Sequence, residues 1–152
     1  MRNVGGGDDR RLKGGIRMQM TLDLALRLIE SARVKAREID VPMVIAVVDA
    51  GGNLVAQQRM DNALLVSIDI SLNKAYTAVA LQLPTHELAP LAQPHQPLFG
   101  IHNADGGRIV IFGGGYPLKA DGVLIGGIGV SGGSVEQDMD CADAAIKLFE
   151  QM

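Results

Sequence analysis

Val123-Leu124-Ile125-Gly126-Gly127-Ile128-Gly129-Val130-Ser131-Gly132-Gly133-Ser134 reads as a strand, a glycine turn and the cap of a helix. Within it, Gly127 to Gly132 matches GxGxxG in the strand-then-helix setting that a dinucleotide fingerprint requires. A dinucleotide fold also requires a second strand and an acidic residue about 20 residues further on. From Ser134 to Met152 the chain reads as one helix, so neither nicotinamide nor flavin is expected here. The glycines keep a smaller meaning, as places where backbone comes close to something. Two readings stand. Gly127, Gly129 and Gly132 contact an anion or cofactor at a helix N-terminus, or they let a strand pack tightly against a helix.

The neighbouring segments fix the layout. Ser134-Val135-Glu136-Gln137 is a capping box, and Val135, Met139, Ala142, Ala145, Ile146 and Phe149 mark the expected buried face of the last helix. Asp138 and Asp140 are expected only to complement its dipole. Asp121-Gly122 is a two-residue hairpin turn between Tyr116–Ala120 and Val123–Val130. Arg108–Phe112 reads as another strand, turned by Gly113-Gly114-Gly115. A helix over Leu65–Leu83 carries Ile68, Leu72, Ala75, Val79 and Leu83 at helical spacing and stops at Pro84. Met43–Val48 is a β-branched apolar run joined through Asp49–Asn53 to Leu54–Arg59, a second hairpin. Thr21 caps a first helix that ends near Asp40, before Pro42. This order predicts an α+β domain with one five-stranded antiparallel sheet and helices on both faces. Residues 1–19 read as a flexible arm or an overlong start, and residues 20–152 as the domain.

Composition narrows the function classes. Hydrophobic residues make up 47% of 152, yet there is no Trp and only three Phe and two Tyr, so the core is aliphatic. A net charge of -3 gives no electrostatic footprint for nucleic acid. No apolar run is long enough to span a membrane, and the N-terminus lacks the apolar region of a signal peptide. One cysteine, Cys141, cannot form an intramolecular disulfide, which suits a cytoplasmic protein. It falls beside Ala142 on the last helix and is expected to be inert.

Four motifs in order resemble one family: Ile45-Ala46-Val47-Val48-Asp49-Ala50-Gly51-Gly52, Arg59-Met60-Asp61, Lys74-Ala75 with Thr77-Ala78, and Gly127 to Gly132. The chain resembles the GlcG family, which includes the haem-binding HbpS proteins and the C-terminal domain of PduO adenosyltransferases. Phe112-Gly113-Gly114-Gly115-Tyr116-Pro117-Leu118 is most similar to the PduO-type branch. The resemblance runs from about Thr21 to Phe149. It implies a profilin-like fold, a homo-oligomer (often an octamer) and haem binding. It also implies a setting beside diol or glycerol dehydratases.

His86, His95 and His102 lie on a proline-rich connection at spacings unlike a zinc site. Haem iron needs only one or two axial ligands, and imidazole is the commonest. In the light of the resemblance His102 is the first choice, followed by His95 and His86; each also reads as a solvated loop histidine. Arg59, Arg108 and Lys74 are candidates for haem propionates, or for salt bridges to Asp49, Asp61 or Asp69. No Ser or Cys sits in a nucleophile motif with a base. The function expected is therefore non-catalytic binding of haem or a related tetrapyrrole. The alternatives are an enzyme of the haem-degrading or small-acid lyase or isomerase kind, using the Gly127–Gly133 turn with Ser131 or Lys74, and an assembly partner for a dehydratase.

Overall fold

The structure is a computed structural model that describes residues 17–152. Of the arm expected over 1–19, only residues 17–19 are described; they are exposed and carry no regular structure. Eight elements follow: α1 (Leu22–Glu38), β1 (Val44–Asp49), β2 (Leu54–Arg59), α2 (Val66–Leu81), the short α3 (Thr85–Leu88), β3 (Gly115–Ala120), β4 (Val123–Ser131) and α4 (Val135–Glu150). Three single 3-10 turns at Ala89–Ala92, Ile101–Asn103 and Asp105–Gly107 occupy the long connection.

The sheet has the order β2-β1-β4-β3 and every neighbouring pair is antiparallel. Four strands are therefore present among the described residues, not five. Arg108–Phe112 stays out of the sheet because a side chain of α2 takes its backbone groups. Val110 N–H donates to Thr77 Oγ1 at 3.0 Å, and the same hydroxyl donates to the Arg108 carbonyl at 3.3 Å. Both hairpins form where their turn chemistry predicts. Asp121 and Gly122 take the positive φ values of 51° and 75° that a primed turn demands. At the other hairpin, Asp49 Oδ1 accepts from the N–H groups of Gly51 and Asn53.

The helices cover both faces of the sheet. On one face α1 and α4 bury Leu28, Ile29 and Ala32, with Cys141, Ala142 and Ala145, against Ile45, Val47, Ile128 and Val130. Thr21 caps α1 through Oγ1, which accepts from Leu24 N–H, and the Ser134–Gln137 capping box opens α4. The buried face of α4 is turned from the expected one. Val135 is exposed while Asp138 and Cys141 are inside.

The other face depends on glycine. The residues of α2 turned inward are Ser67, Ser71, Lys74, Ala75 and Ala78, while Ile68, Leu72 and Leu83 are only partly covered. A methyl built on Gly129 would overlap the Ser71 carbonyl and lie 2.6 Å from Ala75 N. On Gly127 it would lie 2.8 Å from the Ala75 carbonyl oxygen, and on Gly115 2.8 Å from the Lys74 carbonyl carbon. Helix backbone therefore rests on strand backbone, and large apolar side chains have no room between them. Of the two readings of the glycine motif, close packing is the one seen at Gly127 and Gly129. Gly127 and Gly129 face α2, and a methyl on Gly132 would overlap the Pro42 carbonyl.

Gly129→Ala is expected to lower stability by about 3 kcal/mol, because α2 must shift as a body. Gly122→Ala, with open space around it but a positive φ, is expected to lose about 1 kcal/mol. Chemical denaturation of the two variants checks this, and equal losses would remove the helix-seating role of Gly129.

Candidate functional site

The connection from Ala89 to Phe112 holds most of the exposed chemistry, and it is laced rather than loose. Successive turn bonds run from Phe99 N–H to Gln96 O, Ile101 to Leu98, Ala104 to Ile101, and Gly107 to Ala104. His102 stands exposed on the 3-10 turn Ile101–Asn103. His95 is exposed as well, at a positive φ of 68°. Arg108 follows, and its guanidinium carbon lies 3.5 Å from the centre of the Tyr76 ring. Its Nε donates to Asn73 Oδ1 at 3.4 Å, and the Tyr76 hydroxyl donates to Asp105 Oδ2. That last bond is the main cause of a tyrosine pKa raised above its ordinary value. Stacking on Tyr76 holds the Arg108 fork flat while leaving other N–H groups available. In the same segment Leu98, Phe99 and Phe112 are 37%, 63% and 40% exposed.

Lys74 lies beneath Phe112 and is fully occupied. Its ammonium is buried, donates to Asp138 Oδ2 and to the Val130 carbonyl, both at 2.8 Å, and sits 5.1 Å from the Phe112 ring centre. The expected contact with a propionate, or with Asp49, Asp61 or Asp69, is replaced by this internal pair. Burial pushes Lys74 down and Asp138 up, while their mutual attraction opposes both shifts. Asp138 is thus more than a dipole acid. Its other oxygen accepts from Gly133 N–H at 2.9 Å, so the glycine turn already holds an anion, the protein's own carboxylate. A lone acid in the first turn of a helix gives no hint of this. The usable signal was the stripe Ser67, Ser71, Lys74 and Ala78, spaced to face a glycine strand.

The remaining candidates separate. His86, in α3, is half-buried with its ring 5.4 Å from that of Tyr116, and its buried Nδ1 has no partner among the described residues. Arg59 ends β2, the edge strand, and lines a cleft together with Arg33 and Arg37 of α1, away from the α2 residues that hold Arg108. Ser131 is buried and donates to Ser67 Oγ at 3.0 Å, with no imidazole beside it. Cys141 is buried, and burial pushes its thiol up to about 12. Among the described residues no three His, Cys, Asp or Glu side chains converge as a metal site.

Breaking the buried pair on one side is expected to cost far more than removing it whole. Asp138→Ala strands an ammonium in the core and should lose about 3–5 kcal/mol. The double substitution Lys74→Met with Asp138→Leu should recover at least half of that in urea denaturation. A double variant no more stable than Asp138→Ala would mean that the unpaired charge is not what the single variant suffers from.

Comparison with known proteins agrees with this architecture. Residues 20–147 match the family model described as haem degrading protein HbpS-like. An uncharacterized 15.0 kDa protein of the dhaT-dhaS intergenic region of Citrobacter freundii is 48% identical over 133 residues, covering 88% of this chain and 94% of that one. The corrinoid adenosyltransferase PduO of Citrobacter freundii is 46% identical over 129 residues, which cover 85% of this chain but 38% of that enzyme. A crystal structure of a PduOC:heme complex superposes with a TM-score of 0.83 at 45% identity, covering 86% of this chain and 94% of that one. With a match that runs through all four strands and the helices on both faces, the chain belongs to the HbpS-like family, as its resemblance to GlcG and PduO-type sequences anticipates.

Proposed function

We propose that this chain binds haem or a related tetrapyrrole without transforming it. In this reading it acts as a cytoplasmic homo-oligomer, an octamer, accessory to corrinoid-dependent diol or glycerol metabolism. The observation that carries the haem reading is the 45% identity, over nearly the whole fold, to a PduOC structure solved in complex with heme. The metabolic setting is supported by similarity to part of a corrinoid adenosyltransferase.

The residues of the 98–112 segment fit such a ligand. His102 offers an accessible imidazole on an ordered turn as the axial ligand of the iron, and the haem would supply the coordination position and the visible chromophore. Arg108, fixed by Tyr76 and Asn73, suits a propionate. Leu98, Phe99 and Phe112 offer apolar surface for a porphyrin face. A porphyrin has two apolar faces, and a second copy of the chain would cover the face that this segment leaves open. This supports the oligomer. His95 is the next choice for ligand. His86 follows, because its ring is packed against Tyr116. Lys74, Gly127, Gly129 and Gly132 make internal contacts and are not drawn on in this reading.

The non-catalytic reading is supported by the fate of the groups an enzyme would use. Ser131 is bonded to Ser67, Lys74 to Asp138, and the glycine turn to Asp138 as well. A dehydratase assembly partner is the other class, and it predicts no ligand spectrum.

Titration with hemin, followed by visible absorption, tests this. The wild type is expected to give a saturable, red-shifted Soret band. His102→Ala should abolish it, with His95→Ala and His86→Ala retaining it. A weak, unsaturable change insensitive to all three would overturn the haem reading in favour of the assembly role. Progressive bleaching of the band on adding a reductant and oxygen would overturn the non-catalytic part alone.

A further inference from the structure

We propose that the cleft between α1 and the end of β2 is a second ligand site, for a small organic molecule carrying two or more negative charges. It has a volume of about 510 Å³ and is lined by Arg33, Arg37, Gln58, Arg59, Met60 and Asp61. That volume falls within the roughly 300–1,000 Å³ of ligand pockets and exceeds what a bare inorganic anion fills.

The guanidiniums are positioned rather than adrift. Glu30 accepts from Arg33 Nη1 at 3.0 Å through one carboxylate oxygen and from Arg37 Nη2 at 2.9 Å through the other. Gln58 Oε1 accepts from Arg33 Nη1 at 2.9 Å, tying the helix side chain to the strand. The floor is held as well, since Met43 N–H donates to Met60 Sδ. Arg59 makes no ion pair among the described residues and is exposed at the strand end. The lining carries three arginines and one acid, Asp61, and Glu30 pairs with two of the arginines from beside it, which leaves one positive charge over. A side chain shared between two arginines fixes their forks while leaving outward N–H groups for a guest. Such forks suit the paired oxygens of carboxylate and phosphoryl groups, which share this chemistry. The site is independent of the haem reading, because its arginines belong to α1 and β2, whereas Arg108 is held by α2.

Isothermal titration of the full chain with citrate, tripolyphosphate and acetate tests the proposal. Saturable binding of citrate or tripolyphosphate, but not of acetate, is expected. Preference between the first two assigns the guest to the carboxylate or the phosphoryl class. Arg59→Gln should weaken that binding by roughly tenfold or more, the worth of one charge-assisted hydrogen bond. His102→Ala should leave it unchanged, whatever happens to hemin binding in that variant. Binding that does not saturate, or that survives Arg59→Gln with an unchanged thermal midpoint, would overturn the site. Loss of hemin binding in Arg59→Gln would also overturn it, because the cleft would then be an extension of the haem surface.

Discussion

The approach of α2 to the glycine face of β3 and β4 is the constraint on which the rest of the molecule depends. Gly115, Gly127 and Gly129 remove the side chains that would hold the helix away, so backbone meets backbone. At that distance α2 turns mostly small residues inward, Ser67, Ser71, Ala75 and Ala78, with Val79 set against Gly127, while the leucines stay only partly covered. One long residue fits the same stripe, Lys74, and only because its stem runs past Gly114 to the end of β4. A methyl on Gly114 would lie 2.7 Å from the Lys74 ammonium. The ammonium then has to be neutralised in place. Asp138 does so while also capping the glycine turn, and thereby ties α2, β4 and α4 together.

Much of this architecture was legible. Hairpins announced by Asp121-Gly122 and by Asp49–Asn53 formed because turn chemistry is local and needs no partner to be read. The caps at Thr21 and Ser134 were legible for the same reason. Apolar spacing alone does not pick out the inward face of α2: of Ile68, Leu72, Ala75, Val79 and Leu83 only Ala75 and Val79 are buried, because the glycine strand, distant in sequence, decides which face turns in. The strand expected at Arg108–Phe112 failed similarly. Its β-branched run is a fair strand sequence, but Thr77 of α2 satisfies its backbone before any ladder can. Local signals survive folding, and signals that depend on a partner element do not.

The candidate site divides along the same line. His95, His102 and Arg108 stand out as candidates because a histidine or arginine on a long loop is visible by residue type alone. Tyr76 and Asn73, which aim Arg108, sit on a helix seventy positions into the chain and were invisible until α2 was placed. Asp138 was hidden behind an ordinary role, since any acid in the first turn of a helix answers to the dipole.

What the buried groups do bears on function. Lys74, Asp138, Ser131 and Ser67 are the side chains that could activate a substrate, and each spends its hydrogen bonds on another. Using any of them chemically would require opening the seam on which α2 rests. Evolving a reaction there would set activity directly against the stability of the fold. The groups that stand at the surface are instead His95, His102, Arg59 and the partly exposed Arg108. Their substitution disturbs no core contact, so ligand recognition can change while the scaffold stays fixed. Recognition through imidazole, guanidinium and exposed aromatic rings would leave untouched the buried pairs on which the fold depends.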